Sequence, residues 1–477
     1  MSNPLVLDDD RLFPADAATR NVARALHERI ADLPIISPHG HTDPAWFSEN
    51  KSFDNAADLL VTPDHYVLRM LYSQGIALER LGVASRHGKA DTDPRDAWRL
   101  FAANFHLFRG TPSALWLNYV FAKVFEIDVR LEPGTADHHF DVIGTKLKEA
   151  AFRPRALFER FNIEVLSTTE GPDDRLNAHR AMRESGWTGR VVPTYRPDVA
   201  IDPEHEFFPA ALKALGEITN KDVLSWRGYL EAHRARRADF IAMGATATDH
   251  GHATPATADL SATAAEALFK KVVTGKVARD EAELFRAQML TEMARMSVDD
   301  GLVMQIHPGV YRNHNAWLMQ EFGRDKGGDI PLVAEYVHTL KPLLDRFGND
   351  PRLSIILFTL DESTYSRELA PLAGHYPALK LGPAWWFHDS PEGMMRYREL
   401  TTGTAGFYNT VGFNDDTRAF LSIPARHDVA RRVDCAFLAR LVREHRLDLD
   451  EAHEVAHALT YELPKRAYKF DQPARKG

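Results

Sequence analysis

His39-Gly40-His41 sets two imidazoles on alternate residues of an extended segment, where both point the same way and can reach one ion. Neutral imidazole is a good ligand for zinc and similar divalent ions. The motif carries little weight alone, since 22 histidines in 477 residues give about one His-x-His by chance. A second copy stands at His250-Gly251-His252. The first is preferred because it follows directly on an apolar run, and its bland alternative is a pair of loop histidines. Two histidines leave an ion under-coordinated, and Asp416 can add a carboxylate from far along the chain. On its own, Asp416 reads equally as a turn or helix-capping residue. His307 is open to three readings: a further ligand, a hydrogen-bond partner of a substrate, or a proton carrier.

Arg196, Arg312 and Arg418 follow similar runs, where an arginine is costly unless paired. A guanidinium binds a carboxylate through two parallel hydrogen bonds, so an acidic substrate fits. A salt bridge to Asp198 or Asp416 is the plainer alternative. His65 and Tyr66 are types that shuttle protons between oxygens. Their setting, Thr62-Pro63-Asp64-His65-Tyr66, also reads as an ordinary helix start capped by Asp64.

The elements that must position these groups are short β-branched runs bounded by turn residues. Eight are expected as strands: 33–37, 163–167, 191–195, 240–244, 302–306, 353–358, 379–382 and 407–413. Helical patterns lie between them at 174–185, 221–237, 280–296, 331–347 and 391–402. Strands that read as continuous apolar runs, alternating with helices, indicate a parallel sheet covered by helices, and eight such units suggest closure into a (β/α)8 TIM barrel. An open doubly wound sheet stays possible on the pattern alone. Residues 45–159 read as a large helical insertion after strand 1, with the barrel formed by 1–44 and 160–477. The aromatic stripe Trp98, Phe101, Phe105, Phe108, Trp116, Tyr119, Phe121 and Phe125 is read as helix packing within that insertion. A helical pair at 428–447 and 451–461 closes the chain. In such a barrel the residues after each strand converge, which brings together His39, Glu170, Arg196, Asp249, His307, Asp361, Trp386 and Asp416.

Composition excludes several classes. A net charge of −9 argues against general binding of nucleic acid or an anionic membrane. The one cysteine, Cys435, rules out an intrachain disulfide and fits a reducing compartment. The acidic N-terminus has no apolar signal core, and no stretch has membrane-spanning length, so a cytoplasmic protein is expected.

Eight segments in order resemble the uronate isomerase (glucuronate isomerase) family of the amidohydrolase superfamily: SPHGHTDP, DHYVLR, STTEGPDD, VVPTYRPD, GATATDHG, MQIHPGVYRNHN, LGPAWWFHD and NDDTRAFLSIPARHDVARR. The likeness covers nearly the whole chain. It implies a distorted (β/α)8 barrel with a helical insertion. It implies one divalent metal, usually zinc, held by His39, His41 and Asp416. It implies that His65, Tyr66, Arg196, Asp249, His307, Trp386 and Arg418 surround a hexuronate, and that the enzyme is a homo-oligomer.

The reaction so implied moves a proton from C2 to C1 of an open-chain aldehyde through a cis-enediol. Asp416 is the expected base, with Tyr66 or His65 carrying protons between the two oxygens. Two rivals remain at this level. A metal-dependent hydrolase or decarboxylase would use metal-bound hydroxide, but no lysine follows the middle runs to bridge two metals. A non-catalytic sugar-acid binder would need neither a metal site nor a cluster of His, Tyr and Asp.

Overall fold

Seven parallel strands form one curled sheet in sequence order. They are β1 (Ile35–Ser37), β2 (Ile163–Glu170), β3 (Val191–Tyr195), β4 (Ala247–His250), β5 (Val303–Ile306), β6 (Ile355–Leu357) and β7 (Leu379–Leu381). The computed structural model describes residues 3–472. The strands are buried over nearly their whole length, as a parallel sheet covered by helices requires.

Closure comes from a segment that is barely a strand. Leu381 N–H donates to Asn409 O at 2.8 Å and Val411 N–H to Leu381 O at 3.0 Å, so residues 409–411 add one parallel rung beside β7. The same segment then reaches the other edge. Asp416 N–H donates to His39 O at 3.2 Å, and His41 N–H to Thr417 O at 3.1 Å. The eighth stave thus joins β7 to the extension of β1, giving a distorted (β/α)8 barrel.

Six of the eight expected strands lie where the apolar runs place them. The run 240–244 does not form the fourth: Phe240–Ala242 end the 17-residue helix Trp226–Ala242, and Gly244 turns the chain at φ +96°. Phe240 is the buried face of that helix against Tyr195. The true strand, Ala-Thr-Asp-His, lacks an apolar signature because it carries Asp249 and His250. The eighth run supplies only its single rung. Of the helix expected at 331–347, only Lys341–Phe347 is helical. The other helices appear as Asn177–Glu184, Arg279–Asp300 and Pro391–Ala405, and the closing pair as Ile423–Arg443 and Leu449–His457.

Between β1 and β2 the chain is mostly helical from Pro44 to Arg160, with longer connections at 82–93 and 125–132. Its aromatic residues Trp98, Phe101, Phe108, Phe121 and Phe125 pack in one core with Ile35 and Ile163 of the barrel and with Phe420 and Ile423. Trp116 departs from that stripe and packs with the barrel core. Among the described residues no helix is long and apolar enough to cross a membrane.

Candidate active site

β1 ends at Ser37, and the next residues bring His39 and His41 to the carboxyl end of the barrel. Asp416 arrives from the eighth stave. Its carboxylate Oδ1 lies 3.3 Å from His39 Nε2 and 3.2 Å from His41 Nε2. Its backbone is left-handed, at φ 41°, a conformation that costs a residue with a Cβ about 1 kcal/mol and persists where the surroundings impose it. Here the two hydrogen bonds to the β1 extension impose it.

This trio fits a divalent metal. One ligand atom from each of His39, His41 and Asp416 lies within 4.8 Å of the others. His39 Nε2 and Asp416 Oδ1 are buried without a hydrogen-bond partner, which is costly unless something else satisfies them. His39 is oriented as a ligand would be, with Nδ1 facing Asp249 Oδ1 at 3.9 Å and Nε2 facing the trio. Burial disfavours charge on the His39 ring, yet Asp249 and Asp416 outweigh it and raise its pKa. Burial opposes ionisation of Asp416 too, but the two imidazoles hold its carboxyl far below the usual range. A positive charge is wanted at this point. Burial leaves His41 neutral, with a pKa pushed down to about 4.

Behind the trio stands a charged layer. Asp249 is fully buried, with His307 Nε2 2.7 Å from Oδ1 and Arg196 Nη1 3.3 Å from Oδ2. Arg196 Nε also donates to Asp198 Oδ2 at 2.9 Å. Gly251 lets these groups meet: a Cβ there would stand 2.4 Å from Arg196 Nη2 and 2.7 Å from His307 Cε1. The indole of Trp385 closes the layer, 5.7 Å from the His39 ring and 5.1 Å from that of His307.

Above lies a cavity of about 1340 Å³. His41, His65, Tyr66, Arg196, His307 and Asp416 are among the residues on its wall, as are both Trp385 and Trp386. Arg418 also faces it and is half-exposed, with Nη2 donating to Asp325 Oδ2 at 3.0 Å. Arg312 lies 4.9 Å from the Trp386 ring centroid and is paired with Asp329. Both aspartates sit in the connection between the short antiparallel strands Val310–Tyr311 and Ile330–Pro331. Gly327 presses that loop onto the helix His65–Tyr72, where a Cβ would meet His65 O at 2.8 Å. Asp249 alone of the expected substrate contacts lies beneath the wall.

The two readings of Asp64-His65-Tyr66 hold together. Asp64 caps the helix, accepting from Tyr66 N–H at 2.8 Å, and the helix start it fixes delivers His65 and Tyr66 to the cavity. His65 Nε2 is buried without a partner, and burial lowers the ring's pKa. Tyr66 is engaged from behind. Its hydroxyl donates to Asp389 Oδ2 at 3.2 Å and accepts Phe387 N–H at 3.2 Å. Arg426 Nη1 donates to Asp389 Oδ2 at 3.1 Å, and its guanidinium lies 3.5 Å from the Trp116 ring centroid. Burial raises the pKa of Tyr66 well above the ordinary phenol value and that of Asp389 above its own ordinary value.

Asp389 and Arg426 were not expected as site residues. Asp389 follows a Trp-Trp-Phe-His stretch and precedes a capping serine, so it reads as a turn. Arg426 sits in the first turn of the helix Ile423–Arg443, and the Arg-His pair downstream of Asp416 was the available signal.

A glucuronate isomerase family model matches residues 14–468. A uronate isomerase of Phenylobacterium zucineum is 68% identical over 475 residues, covering 100% of this chain and 99% of that one. The crystal structure of a glucuronate isomerase from Caulobacter crescentus is 66% identical, covers 99% of this chain and 100% of its own, and superposes with a TM-score of 0.98. A uronate isomerase structure from Thermotoga maritima, 27% identical, covers 97% and 99% with a TM-score of 0.90.

Proposed function

The chain belongs to the glucuronate isomerase family and isomerises uronates; from that premise we propose that it converts D-glucuronate to D-fructuronate, and D-galacturonate to D-tagaturonate, through a cis-enediol. The observation that carries the mechanism is the meeting of Asp416, His41 and a proton-bearing tyrosine on the wall of an arginine-lined cavity, with the His39 imidazole against Asp416 behind it.

Arg418 spends one donor on Asp325, leaving others for the substrate carboxylate, with Arg196 as the second guanidinium in reach of the cavity. His39, His41 and Asp416 would hold the divalent ion, zinc in this reading. When bound, the ion would supply a Lewis-acidic anchor for the substrate. Asp416, ionised at neutral pH, takes the C2 proton and returns it to C1. Tyr66, or His65, gives a proton to the aldehyde oxygen and takes one from the C2 hydroxyl, so the two oxygens exchange protons with no net change. Asp389 accepts a hydrogen bond from the Tyr66 hydroxyl in the resting site and so fixes the phenol at the wall from behind. His307 and Trp386 orient sugar hydroxyls at the wall, and Asp249 acts through Arg196 and His307.

Family membership favours neither hydrolysis or decarboxylation on the same barrel nor passive binding. The exposed Tyr311 and Val333 beside the cavity fit a homo-oligomer, and the buried single thiol of Cys435 fits a cytoplasmic setting.

Incubation with each uronate in D2O, followed by proton NMR with and without a chelator, tests this reading. Appearance of the keto acid with deuterium at C1 or C2 is expected. No change in either sugar, with metal present at the site, overturns it.

A further inference from the structure

The second His-x-His motif has no part in the mechanism above, yet the barrel builds a cluster around it. His250 is the last residue of β4, and His252 follows one residue beyond. Asp198 reaches them from the turn after β3. One ligand atom from each of Asp198, His250 and His252 lies within 4.8 Å of the other two. His252 Nε2 stands 3.7 Å from Asp198 Oδ1.

Two features distinguish this cluster from packed histidines. His250 Nδ1 and His252 Nε2 are both buried without a hydrogen-bond partner, on side chains 0% and 6% exposed. The opposite nitrogen of His250 is fixed, with Nε2 3.0 Å from Thr248 Oγ1. With Nε2–H donating to that oxygen, the Nδ1 lone pair is free for a ligand, the arrangement an outer partner gives a metal-bound imidazole. Asp198 is held as well: Gly251 N–H lies 3.2 Å from Oδ1 and 3.0 Å from Oδ2, and Arg196 Nε takes Oδ2. Oδ1 keeps capacity for a further ligand.

We propose that Asp198, His250 and His252 form a second metal site, selective for a divalent transition ion of the zinc, cobalt or nickel class. Two imidazole nitrogens and one carboxylate oxygen suit such ions and not magnesium or calcium, which require mostly oxygen. The Arg196 guanidinium stands against Asp198, and its charge makes this site the weaker of the two. It fills after the trio of His39, His41 and Asp416.

The proposal does not depend on the isomerase mechanism. Metal-stripped full-length protein would be titrated with Co2+ and with Zn2+. Bound metal would be counted after gel filtration, and the Co2+ absorption spectrum followed. Two equivalents per chain are expected, the second at least 10-fold weaker and with a distinct visible spectrum. His252→Ala and Asp198→Asn should lose the second equivalent, or weaken it at least 100-fold, and keep the first. Asp416→Asn should lose the first and keep the second. Circular dichroism and retention of the untouched equivalent verify the fold of each variant, and His252→Gln replaces His252→Ala if the latter misfolds. A wild type that saturates at one equivalent, or a second equivalent of unchanged affinity in the His252 and Asp198 variants, overturns the second site. Failure of the first equivalent to respond to Asp416→Asn would instead count against the trio.

Discussion

The hydroxyl of Tyr66 lies 3.2 Å from Asp389 Oδ2, and the same oxygen of Asp389 receives Arg426 Nη1 at 3.1 Å. The phenol that faces the cavity is therefore backed by a buried ion pair. Arg426 also donates to Asp415 O at 3.3 Å, so one guanidinium fixes both the tyrosine's partner and the residue before Asp416. Replacing Asp389 by Asn keeps the shape and removes the charge. We expect kcat to fall about 10- to 100-fold with KM within about 3-fold, because the change acts on proton transfer rather than on uronate binding. Tyr66→Phe should cost more, and the double variant should cost little beyond Tyr66→Phe alone. Steady-state kinetics on the three variants test this; a KM effect equal to the kcat effect would assign Asp389 to substrate binding instead.

Asp416→Asn is a clean probe of the metal trio because asparagine tolerates the left-handed backbone found there, at φ 41°. The turn should survive while the ligand charge and the base are both lost. Turnover is expected to fall at least about 10³-fold, as when a charged group central to the transition state is removed. Metal content should drop with it. Near-normal turnover in a metal-loaded variant would exclude Asp416 as the base.

Arg196 is paired with Asp198 and Asp249 before any substrate arrives. Lysine at this position retains one charge but cannot serve both carboxylates and a uronate. Arg196→Lys should raise KM roughly 10- to 100-fold and lower kcat less, the cost of one charge-assisted hydrogen bond or two. Arg418→Lys should act in the same direction, since Arg418 spends only one donor on Asp325. Competition by simple carboxylates gives the cross-check: their inhibition should weaken in parallel with KM. An unchanged KM in both variants would move the carboxylate site elsewhere in the cavity.

Much of this site was legible because barrel strands end in chemistry, and residues following apolar runs converge. His39, His307 and Arg196 follow runs whose apolar side chains are buried, so periodicity located them. β4 escaped because its outer residues, Thr248, Asp249 and His250, belong to the polar interior. The apolar run before it, 240–244, served the helix Trp226–Ala242 instead. A short apolar stretch carries no mark that separates a buried helix end from a buried strand. Closure was suggested by counting eight runs, but its means was invisible, since it rests on backbone bonds at residues 39, 41, 416 and 417. Tyr66 needed the family resemblance to rise above a capped helix start. Asp389 and Arg426 needed the fold, because their partner lies more than 320 residues away in sequence.

Buried neutral histidines away from the site give the protein a predictable sensitivity to acid. Burial pushes His139 and His179 down to about 4 and His233 to about 3. In the unfolded chain each titrates near 6.5. Above that pH the rings are neutral in both states and stability is insensitive to them. As pH falls from about 6.5 toward 4, the unfolded chain binds protons that the folded chain refuses, so stability is lost with acid. Each ring contributes up to about 1.4 kcal/mol per pH unit across the window. Urea midpoints measured from pH 7.5 to 4.5 should hold steady to near 6.5 and then decline. His139→Gln isolates one ring: its amide can still donate to Val129 O, which His139 Nε2 contacts at 3.0 Å, but it does not titrate. The variant should match the wild type at pH 7.5 and lose stability less steeply in acid, by close to one proton. Comparing the two chains side by side cancels any acid release of metal. Identical slopes for both would show that His139 already takes its proton in the folded state.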